Sequence, residues 1–492
     1  MNFENFPLLS VVTLLPLFGA IFISLINKSV GQANAKYVAL WTSLVTLFLS
    51  LLLWIFFDIK NPSHQFIDRL TLLPYFSLEY KVGVDGLSLS CVLLTTLIFP
   101  LVILAGWESI KTNLKFYASL ILALESFLLG TFTSLNLLFF FICLEGCLIP
   151  MYFLIGLWGA ENRTRAALNF FLYTFLGSIF LLAGSLVFYS ETNTFDLEHL
   201  SQTLLDPKMQ TLIGSLFLVS FAIKMPIVPL HTWLPLAHVQ APAPVSMLLA
   251  GVLLKIAGYG FLRFFPTLFP EFLNRYSFYF GIWVLISIVY TSWLIFSQQD
   301  IKKIIACSSI AHMGLVFLGV ITGTIESLNG ALIYLISHGF IAAGLFFSVG
   351  ILYGQVHSRN IEDFGGLARV MPVFSILFFL FSMGAIGVPG TSGFVGEFLI
   401  LMGTFKHHIL WAFGVGISMI FTAIYMMNLY KNVFFSRITG TIILGLKDLD
   451  IREKSILIIF AFFMVGIGLF PKSILRLGDH TFSKVLKQSP SC

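Results

Sequence analysis

Long apolar runs recur along the whole chain, and they constrain its fold more than any other feature. A helix of about 18 to 25 such residues can cross a hydrocarbon core of about 30 Å. Only 10% of the 492 residues are charged and the mean hydropathy is +0.95, whereas a soluble domain carries about 25% charged residues. We therefore expect an all-α, multi-pass integral membrane protein.

About fourteen transmembrane helices are predicted from these runs, in a single membrane domain that covers residues 1–492. The predicted spans lie near 6–26, 37–57, 87–106, 116–132, 135–157, 167–188, 211–230, 244–264, 277–297, 301–322, 328–352, 372–404, 409–430 and 455–475. The first run lacks a basic leading region and a small-residue cleavage site, so it is predicted to be a retained span instead of a signal peptide.

Two of the predicted spans contain residues that interrupt a helix. The twelfth run, 372–404, is too long for one straight span and includes Gly387-Val-Pro-Gly-Thr-Ser-Gly393. In the seventh, Pro226 and Pro229 closely follow Lys224. Interruptions within a membrane persist only where protein or a water-filled cavity satisfies the freed backbone groups. Broken helices therefore indicate a transport site.

The broken seventh and twelfth spans are five helices apart. This spacing predicts two five-helix repeats, the first formed by spans 4–8 at about 116–264 and the second by spans 9–13 at about 277–430. Corresponding broken helices in two halves of one chain are typical of transporters.

Basic residues in the short loops predict the orientation. Ten follow spans 1, 3, 5, 9 and 11, whereas the opposite loops hold Arg263, Arg275 and Lys406. The ten are Lys28, Lys36, Lys111, Lys115, Arg163, Arg165, Lys302, Lys303, Arg359 and Arg369. The positive-inside rule places the ten-residue side in the cytoplasm or matrix, with both termini outward.

Apart from those at span ends, five charged side chains fall within the predicted spans: Glu125, Glu145, Lys224, Lys255 and Glu397. Each costs about 3 kcal/mol near the bilayer centre, so five without partners would cost about 15 kcal/mol. That penalty would rival the stability of a whole domain. These side chains must therefore face one another, water or a cavity.

Glu145, Lys224, Lys255, His338 and Glu397 are predicted to lie at similar depth. A row of titratable groups at the midplane is what lateral proton transfer requires, with water bridging the gaps that are too long for hydrogen bonds. The alternative is that such a residue is only a structural partner in a helix contact. The matched depth and the two broken helices favour proton transfer.

Four further titratable residues lie in or beside the predicted spans. Glu125 lies one span before Glu145. It is expected either to adjust the proton affinity of Glu145 or to be a structural partner. His312 fits the proton pathway or simple packing. His231 and His238 flank a short loop and are predicted to be cap or interface residues instead of carriers.

The sequence contains no glycine-rich phosphate loop, no metal-spaced Cys/His cluster and no nucleophile triad. We therefore expect no cofactor or metal in this chain. The net charge of +5 does not suggest nucleic-acid binding. Small buried thiols are expected at the five cysteines, Cys91, Cys143, Cys147, Cys307 and Cys492.

Several motifs in order resemble the proton-translocating antiporter-like subunits of respiratory complex I. They are Lys224-Met-Pro-Ile-Val-Pro-Leu-His-Thr-Trp-Leu-Pro-Leu-Ala-His-Val-Gln-Ala-Pro, Leu-Ala-Gly-Val-Leu-Leu-Lys255, Ser308-Ser-Ile-Ala-His-Met-Gly, Ile336-Ser-His-Gly and Gly393-Phe-Val-Gly-Glu397-Phe. The resemblance implies fourteen helices with two inverted five-helix repeats. It also implies a mitochondrial inner membrane or bacterial plasma membrane, with other membrane subunits of the complex, including sister antiporter-like subunits, as partners. NAD, FMN, iron–sulfur clusters and quinone would belong to other subunits.

The resemblance also implies roles for individual residues. Glu145 and Lys224 would form the family's Glu–Lys pair, and Lys255 would be the connecting lysine of the eighth helix. His312 and His338 would continue the central axis. Glu397 matches one branch of the family, because the sister subunits and the multi-subunit cation/proton antiporters usually carry lysine at this place.

One residue departs from the family pattern, since Leu236 stands where an acidic residue is usual. Two other functions therefore stay open at this stage. The chain could be a subunit of a multi-chain sodium/proton antiporter, or an inactive structural membrane subunit, for which Leu236 is the only support.

Overall fold

Helices that follow the apolar runs make up nearly all of the regular structure. The computed structural model describes residues 6–26, 28–74, 77–203, 205–437 and 445–488, so the expectation for Cys492 lies outside the described residues. In chain order the elements are α1 (Leu8–Leu25), α2 (Lys28–Phe56), β1 (Gln65–Leu73), β2 (Leu78–Val84), α3 (Gly86–Ala105), α4 (Leu114–Thr133), α5 (Leu137–Trp158), α6 (Arg163–Thr192), α7 (Leu197–Leu200), α8 (Pro207–Lys224), α9 (Trp233–Gln240), α10 (Ala243–Leu248), α11 (Leu254–Leu268), α12 (Pro270–Ile295), α13 (Ile301–Thr322), α14 (Ile325–Val356), α15 (Leu367–Val370), α16 (Pro372–Ile386), α17 (Ser392–His407), α18 (Ile409–Phe434), α19 (Ile451–Leu469) and α20 (Lys472–Gln488).

Eleven helices in the described part of the chain are long and apolar enough to cross a membrane. The number rises to twelve if α19 and α20, which are bent by 65° at their junction, form one span. The two remaining predicted spans are the broken ones. The helices α16 and α17 have only 15 and 16 residues, and α8 ends after 18 at Lys224. The chain is thus a mostly helical polytopic membrane protein.

The interruption between α8 and α9 is stabilised by side chains. The Trp233 indole donates a 2.9 Å hydrogen bond to the carbonyl of Ile223, and the Trp283 indole donates one of 2.7 Å to the carbonyl of Val228. The backbone N–H of Val228 donates to Ser287 Oγ at 3.0 Å. Protein groups therefore satisfy the backbone that this break frees within the apolar region.

The interruption between α16 and α17 depends on glycine. Gly387 (φ +77°) and Gly390 (φ +94°) both have a left-handed backbone, which residues with a Cβ rarely adopt. A Cβ added at Gly387 would lie 2.1 Å from Glu397 Oε2. The break therefore brings the backbone directly against the Glu397 carboxylate.

A two-stranded antiparallel hairpin, β1–β2, precedes α3 and departs from the all-α expectation. It lies in the polar segment between two apolar runs, where no spanning helix is possible. Asp68 on β1 accepts hydrogen bonds from Ser10, and the carbonyl of Lys81 on β2 accepts one from Leu135 N. The hairpin thus packs on the ends of neighbouring helices at one face of the bundle.

The opposite face collects the loops that the sequence predicts to be basic. Ala160 N donates to the carbonyl of Gln240 at 2.8 Å, and Ile301 N donates to that of Arg359 at 2.9 Å. Lys302 Nζ donates to the carbonyl of Ala241 at 2.5 Å. These contacts join the loops after several spans into one surface.

Burial separates central helices from peripheral ones. The most apolar stretches of α11, α13 and α14 are 94% to 100% buried, whereas those of α2, α6, α12 and α18 are only 28% to 39% buried. Other helices surround these central helices, so a titratable side chain on them is shielded from lipid and bulk water. Three of the predicted site residues lie on these central helices: Lys255, His312 and His338.

Candidate functional site

Glu145 and Lys224 form the first group of the site. Glu145 lies on α5, and Lys224 is the last residue of α8, at the edge of the interruption. The Glu145 Oε1 to Lys224 Nζ distance is 3.8 Å, and Lys224 Nζ donates a 2.6 Å hydrogen bond to Ser178 Oγ. Because the break ends the helix at Lys224, the ammonium group is held near the carboxylate without a direct hydrogen bond.

Lys255 and His338 form the start of a second group. Lys255 is fully buried on α11, and its Nζ lies 2.6 Å from His338 Nδ1 on α14. The same Nζ donates a 2.5 Å hydrogen bond to the carbonyl of Ala250. That carbonyl lies in a π-helical turn, Leu249–Leu253, which joins α10 to α11. Such turns often mark functional positions in helices.

His312 connects His338 to Glu397. The rings of His312 and His338 are 5.7 Å apart between centroids. His312 Nδ1 makes a short hydrogen bond with the hydroxyl of Tyr334, which donates at 2.6 Å to Glu397 Oε1. The direct distance from His312 Nδ1 to Glu397 Oε1 is 3.9 Å, too long for a hydrogen bond. The hydroxyl therefore bridges the histidine and the carboxylate.

Tyr334 is a site residue that the sequence analysis did not find. It is 2% exposed and lies one turn before His338 on the same helix. An uncharged tyrosine in an apolar run does not stand out as a lysine or glutamate does. The only available signal was its spacing of four residues from His338, which places both side chains on one helix face.

The structure divides the predicted row into two groups. The second group runs from Lys255 through His338, His312 and Tyr334 to Glu397. Hydrogen bonds join its members except at His338 and His312, whose ring centroids are 5.7 Å apart. Among the described residues, no hydrogen bond or ion pair joins this group to the pair of Glu145 and Lys224. A proton passing between the two groups would need water or side-chain motion.

The remaining candidates, Glu125, His231 and His238, lie outside both groups. Glu125 is fully buried on α4 and accepts a 3.2 Å hydrogen bond from Ser43 on α2, with no hydrogen bond to Glu145 among the described residues. His231 is 8% exposed and packs its ring edge near Tyr290. His238 fits the expected cap or interface role only in part. Its ring is fully buried and stacks on Phe346 at 4.2 Å, with both ring nitrogens unpartnered among the described residues.

Leu236 lies on α9 and is 45% exposed. The acidic side chain that the family usually carries at this place would therefore lie at the surface of this chain, away from the buried row. The departure from the family pattern leaves the contacts among Lys255, His338 and Glu397 intact.

No group of three or more His, Cys, Asp or Glu residues in the described ranges could hold a metal ion. Cys91, Cys143, Cys147 and Cys307 are free and buried, as expected for small apolar thiols. The residues that the structure brings together at this site are acid–base side chains, several of them joined by hydrogen bonds.

Comparisons with known proteins identify the family. The family described as NADH:quinone oxidoreductase/Mrp antiporter, TM matches residues 134–424. NADH-quinone oxidoreductase subunit M of Rickettsia bellii (strain RML369-C) is 41% identical over 478 residues, covering 96% of this chain and 97% of that protein. NADH-ubiquinone oxidoreductase chain 4 of Marchantia polymorpha is 40% identical over 480 residues, covering 97% of each.

A solved structure agrees with these sequence relatives. A chain in respiratory complex I from Thermus thermophilus with bound NADH has 29% identity and a TM-score of 0.88, covering 97% of this chain and 99% of that one. The resemblance predicted from the motifs is thus confirmed. The chain belongs to the NADH:quinone oxidoreductase/Mrp antiporter transmembrane family, in the group that contains the subunit M and chain 4 proteins.

Proposed function

We propose that this chain is a proton-translocating membrane subunit of complex I, which moves protons across the membrane while quinone is reduced in other subunits. The observation that carries this proposal is the buried series of contacts from Lys255 through His338, His312 and Tyr334 to Glu397. Buried ionisable groups in a membrane are costly and mark ion or proton pathways.

The pair of Glu145 and Lys224 is the proposed input of the electrostatic signal. At 3.8 Å and an effective dielectric constant of about 20, opposite charges attract by about 4 kcal/mol. Moving one charge against 100 mV costs about 2.3 kcal/mol. The energy needed to separate this pair is therefore larger than the cost of moving one charge against that potential.

The proposed transfer then runs through the second group. A change at Lys224 alters the proton affinity of Lys255, which shares a 2.6 Å contact with His338. The proton passes by way of His312 and the Tyr334 hydroxyl to Glu397 and leaves outward near that residue. Protons would be taken up from the basic face, which we place in the cytoplasm or matrix by the positive-inside rule.

The complete architecture is part of the same proposal. Counting each broken pair, α8 with α9 and α16 with α17, as one span, together with the bent α19, gives fourteen spans in one domain. Spans 4–8 (about 116–264) and 9–13 (about 277–430) would be two inverted five-helix repeats. Lys224 precedes the break in one repeat and Glu397 follows the break in the other.

The chain would serve as a non-redox subunit of NADH:quinone oxidoreductase. NAD, FMN, iron–sulfur clusters and quinone would be bound by other subunits. Its partners would be other membrane subunits, including sister antiporter-like subunits, in a bacterial plasma membrane or mitochondrial inner membrane. The alternative of an inactive scaffold rests on Leu236, which lies on the surface of the chain and makes no part of the buried row.

The test measures NADH-driven proton uptake by vesicles that contain the intact complex, together with the rate of quinone reduction. Glu397→Gln and Lys224→Ala are each expected to lower the number of protons moved per electron. Glu326→Gln is the matched control, because Glu326 is 41% exposed and pairs with Lys406 at the start of α14. Unchanged proton uptake in both site variants would refute the proposal. Proton exchange for sodium without NADH would instead indicate an antiporter.

A further inference from the structure

Arg263 lies on the same helix face as Lys255. Arg263 was predicted to lie in a loop at the end of the eighth span, but it lies within α11, which continues to Leu268. Lys255, Tyr259 and Arg263 follow one another at intervals of four residues, so their side chains share one face. The eight residues from Lys255 to Arg263 span about 12 Å along the axis.

The Arg263 guanidinium is held by hydrogen bonds on several sides. Its Nη1 and Nη2 atoms each donate to one oxygen of Asp85, both at 2.6 Å. Nη2 also donates to Ser88 Oγ at 2.8 Å, and Nε donates to Tyr259 OH at 3.2 Å. The side chains of Arg263 and Asp85 are 11% and 5% exposed. The two parallel hydrogen bonds fix the orientation of the guanidinium relative to the carboxylate, in addition to the attraction between the charges.

Asp85 is equally constrained. It is the N-cap of α3 and accepts from Ser88 N at 3.0 Å. Burial alone would raise the pKa of the Asp85 carboxyl, but the charge and hydrogen bonds of Arg263 outweigh it and hold the pKa well below its usual range. Two other titratable groups are close to the pair: His64 Nε2 lies 3.9 Å from Asp85 Oδ2, and the Tyr259 hydroxyl contacts Arg263 and Ser88. Asp85 therefore stays ionised next to Arg263.

A polar cavity reaches this pair from the hairpin face. It has a volume of about 330 Å³, and His64, Asp85, Glu198, Arg263 and Lys484 are among the residues that line it. A water molecule occupies about 30 Å³ of liquid, so the cavity has room for several. Water from the face opposite the basic loops can thus reach the guanidinium, about two helical turns from Lys255.

We propose that the Asp85–Arg263 pair is a fixed seal that prevents protons on Lys255 from escaping to the hairpin face, so that they continue through His338 toward Glu397. An arginine does not release its proton in proteins, so it cannot relay one. Asp85 does not take up a proton at neutral pH, because the charge and hydrogen bonds of Arg263 stabilise its ionised form. The seal rests on the proposed function, because it assigns a direction to protons that Lys255 carries.

The two members of the pair have unequal roles in this proposal. Arg263→Gln would leave Asp85 as a buried, unpaired carboxylate that can bind and release protons, which opens a route to the cavity. Asp85→Asn would leave the arginine in place and create no acceptor. If the pair only held α3 against α11, the two variants would behave alike.

The experiment measures passive proton flux without NADH, in vesicles containing the intact complex, from the decay of an imposed pH gradient. We expect Arg263→Gln to increase the flux at least tenfold and to lower the protons moved per electron. Asp85→Asn should keep the wild-type passive flux. The double variant Arg263→Gln with Lys255→Met should lose the extra flux, because the leak begins at Lys255.

Arg69→Gln is the control, since Arg69 forms an exposed ion pair with Glu79 on the hairpin. If Arg263→Gln does not assemble, Arg263→His tests the same point, because an imidazole can relay protons and is also expected to leak. An assembled Arg263→Gln or Arg263→His complex with wild-type passive flux would overturn the seal. So would equal leaks in Asp85→Asn and Arg263→Gln. Failure of the proposed function would appear separately, as normal pumping by Glu397→Gln.

Discussion

Replacing Tyr334 by phenylalanine removes a single oxygen from the centre of the candidate pathway. That hydroxyl donates to Glu397 Oε1 at 2.6 Å and also contacts His312 Nδ1. Without it, the nearest atoms of His312 and Glu397 are 3.9 Å apart. Glu397 Oε2 already lacks a hydrogen-bond partner among the described residues. Tyr334→Phe would therefore leave the buried Glu397 carboxyl without the hydrogen-bond donor that Oε1 now has.

The size of the effect follows from the lost hydrogen bond. A hydrogen bond to a charged group contributes about 1.5–3 kcal/mol. If this contribution is lost when the proton is between His312 and Glu397, the transfer slows by about 10- to 100-fold. A water molecule that takes the place of the hydroxyl would restore part of the rate. The decrease would then be near the lower limit, about tenfold.

The assay compares NADH-driven proton uptake and quinone reduction in vesicles with wild-type and Tyr334→Phe complexes. Tyr430→Phe is the matched control, because the Tyr430 hydroxyl is also buried and bonded to Ser375 at 3.0 Å but lies outside the row. The control should lose a little stability and keep its proton uptake. Wild-type uptake in Tyr334→Phe would show that the proton does not use the hydroxyl bridge.

Two other substitutions test the surroundings of the site. Gly387→Ala should lower the stability by about 1–3 kcal/mol, because alanine is strained in a left-handed backbone. It should also reduce proton uptake, because the added Cβ collides with Glu397. Gly416→Ala is the control, since its added Cβ meets nothing within 4 Å, and it should keep normal uptake. On the hairpin face, a hydrogen bond with His64 is the main reason that the pKa of Glu198 falls from 4.5 to about 2. Ionised Glu198 therefore stabilises the fold above pH 4.5 and loses that effect as the pH falls toward 2. Thermal unfolding should show Glu198→Gln less stable by about 1 kcal/mol at pH 7, after discounting for exposure, with the difference shrinking below pH 4.5. A difference that persisted unchanged at low pH would contradict this assignment.

The sequence was sufficient to predict most of the membrane architecture. Eleven or twelve helices in the described part of the chain are long and apolar enough to cross a membrane, and they follow the predicted apolar runs. Such runs are readable from sequence because a helix in lipid must present apolar side chains over its whole length. The interruptions near Lys224 and Gly387 were also predictable, because proline and glycine act locally on the backbone. The same reasoning placed Lys255 and Glu397 in buried positions.

Features that depend on partners in space could not be predicted in this way. The hairpin β1–β2 lies in a polar segment that carries no spanning signal. Arg263 was assigned to a loop because it lies near the end of an apolar run, and only the position of Asp85 on another helix makes its burial possible. Tyr334 required knowledge that α14 and α17 pack together, which no local pattern contains.

Distances within the second group limit how many of its members carry a charge together. Lys255 Nζ and His338 Nδ1 are 2.6 Å apart, and two positive charges at that distance repel by about 6 kcal/mol at an effective dielectric constant of about 20. A proton that charges His338 therefore leaves Lys255 neutral, and the contact between them becomes a transfer step. Glu397 at the far end accepts a proton by losing a charge instead of gaining one. A carboxylate there draws the proton onward, because it attracts the positive charge that the proton carries.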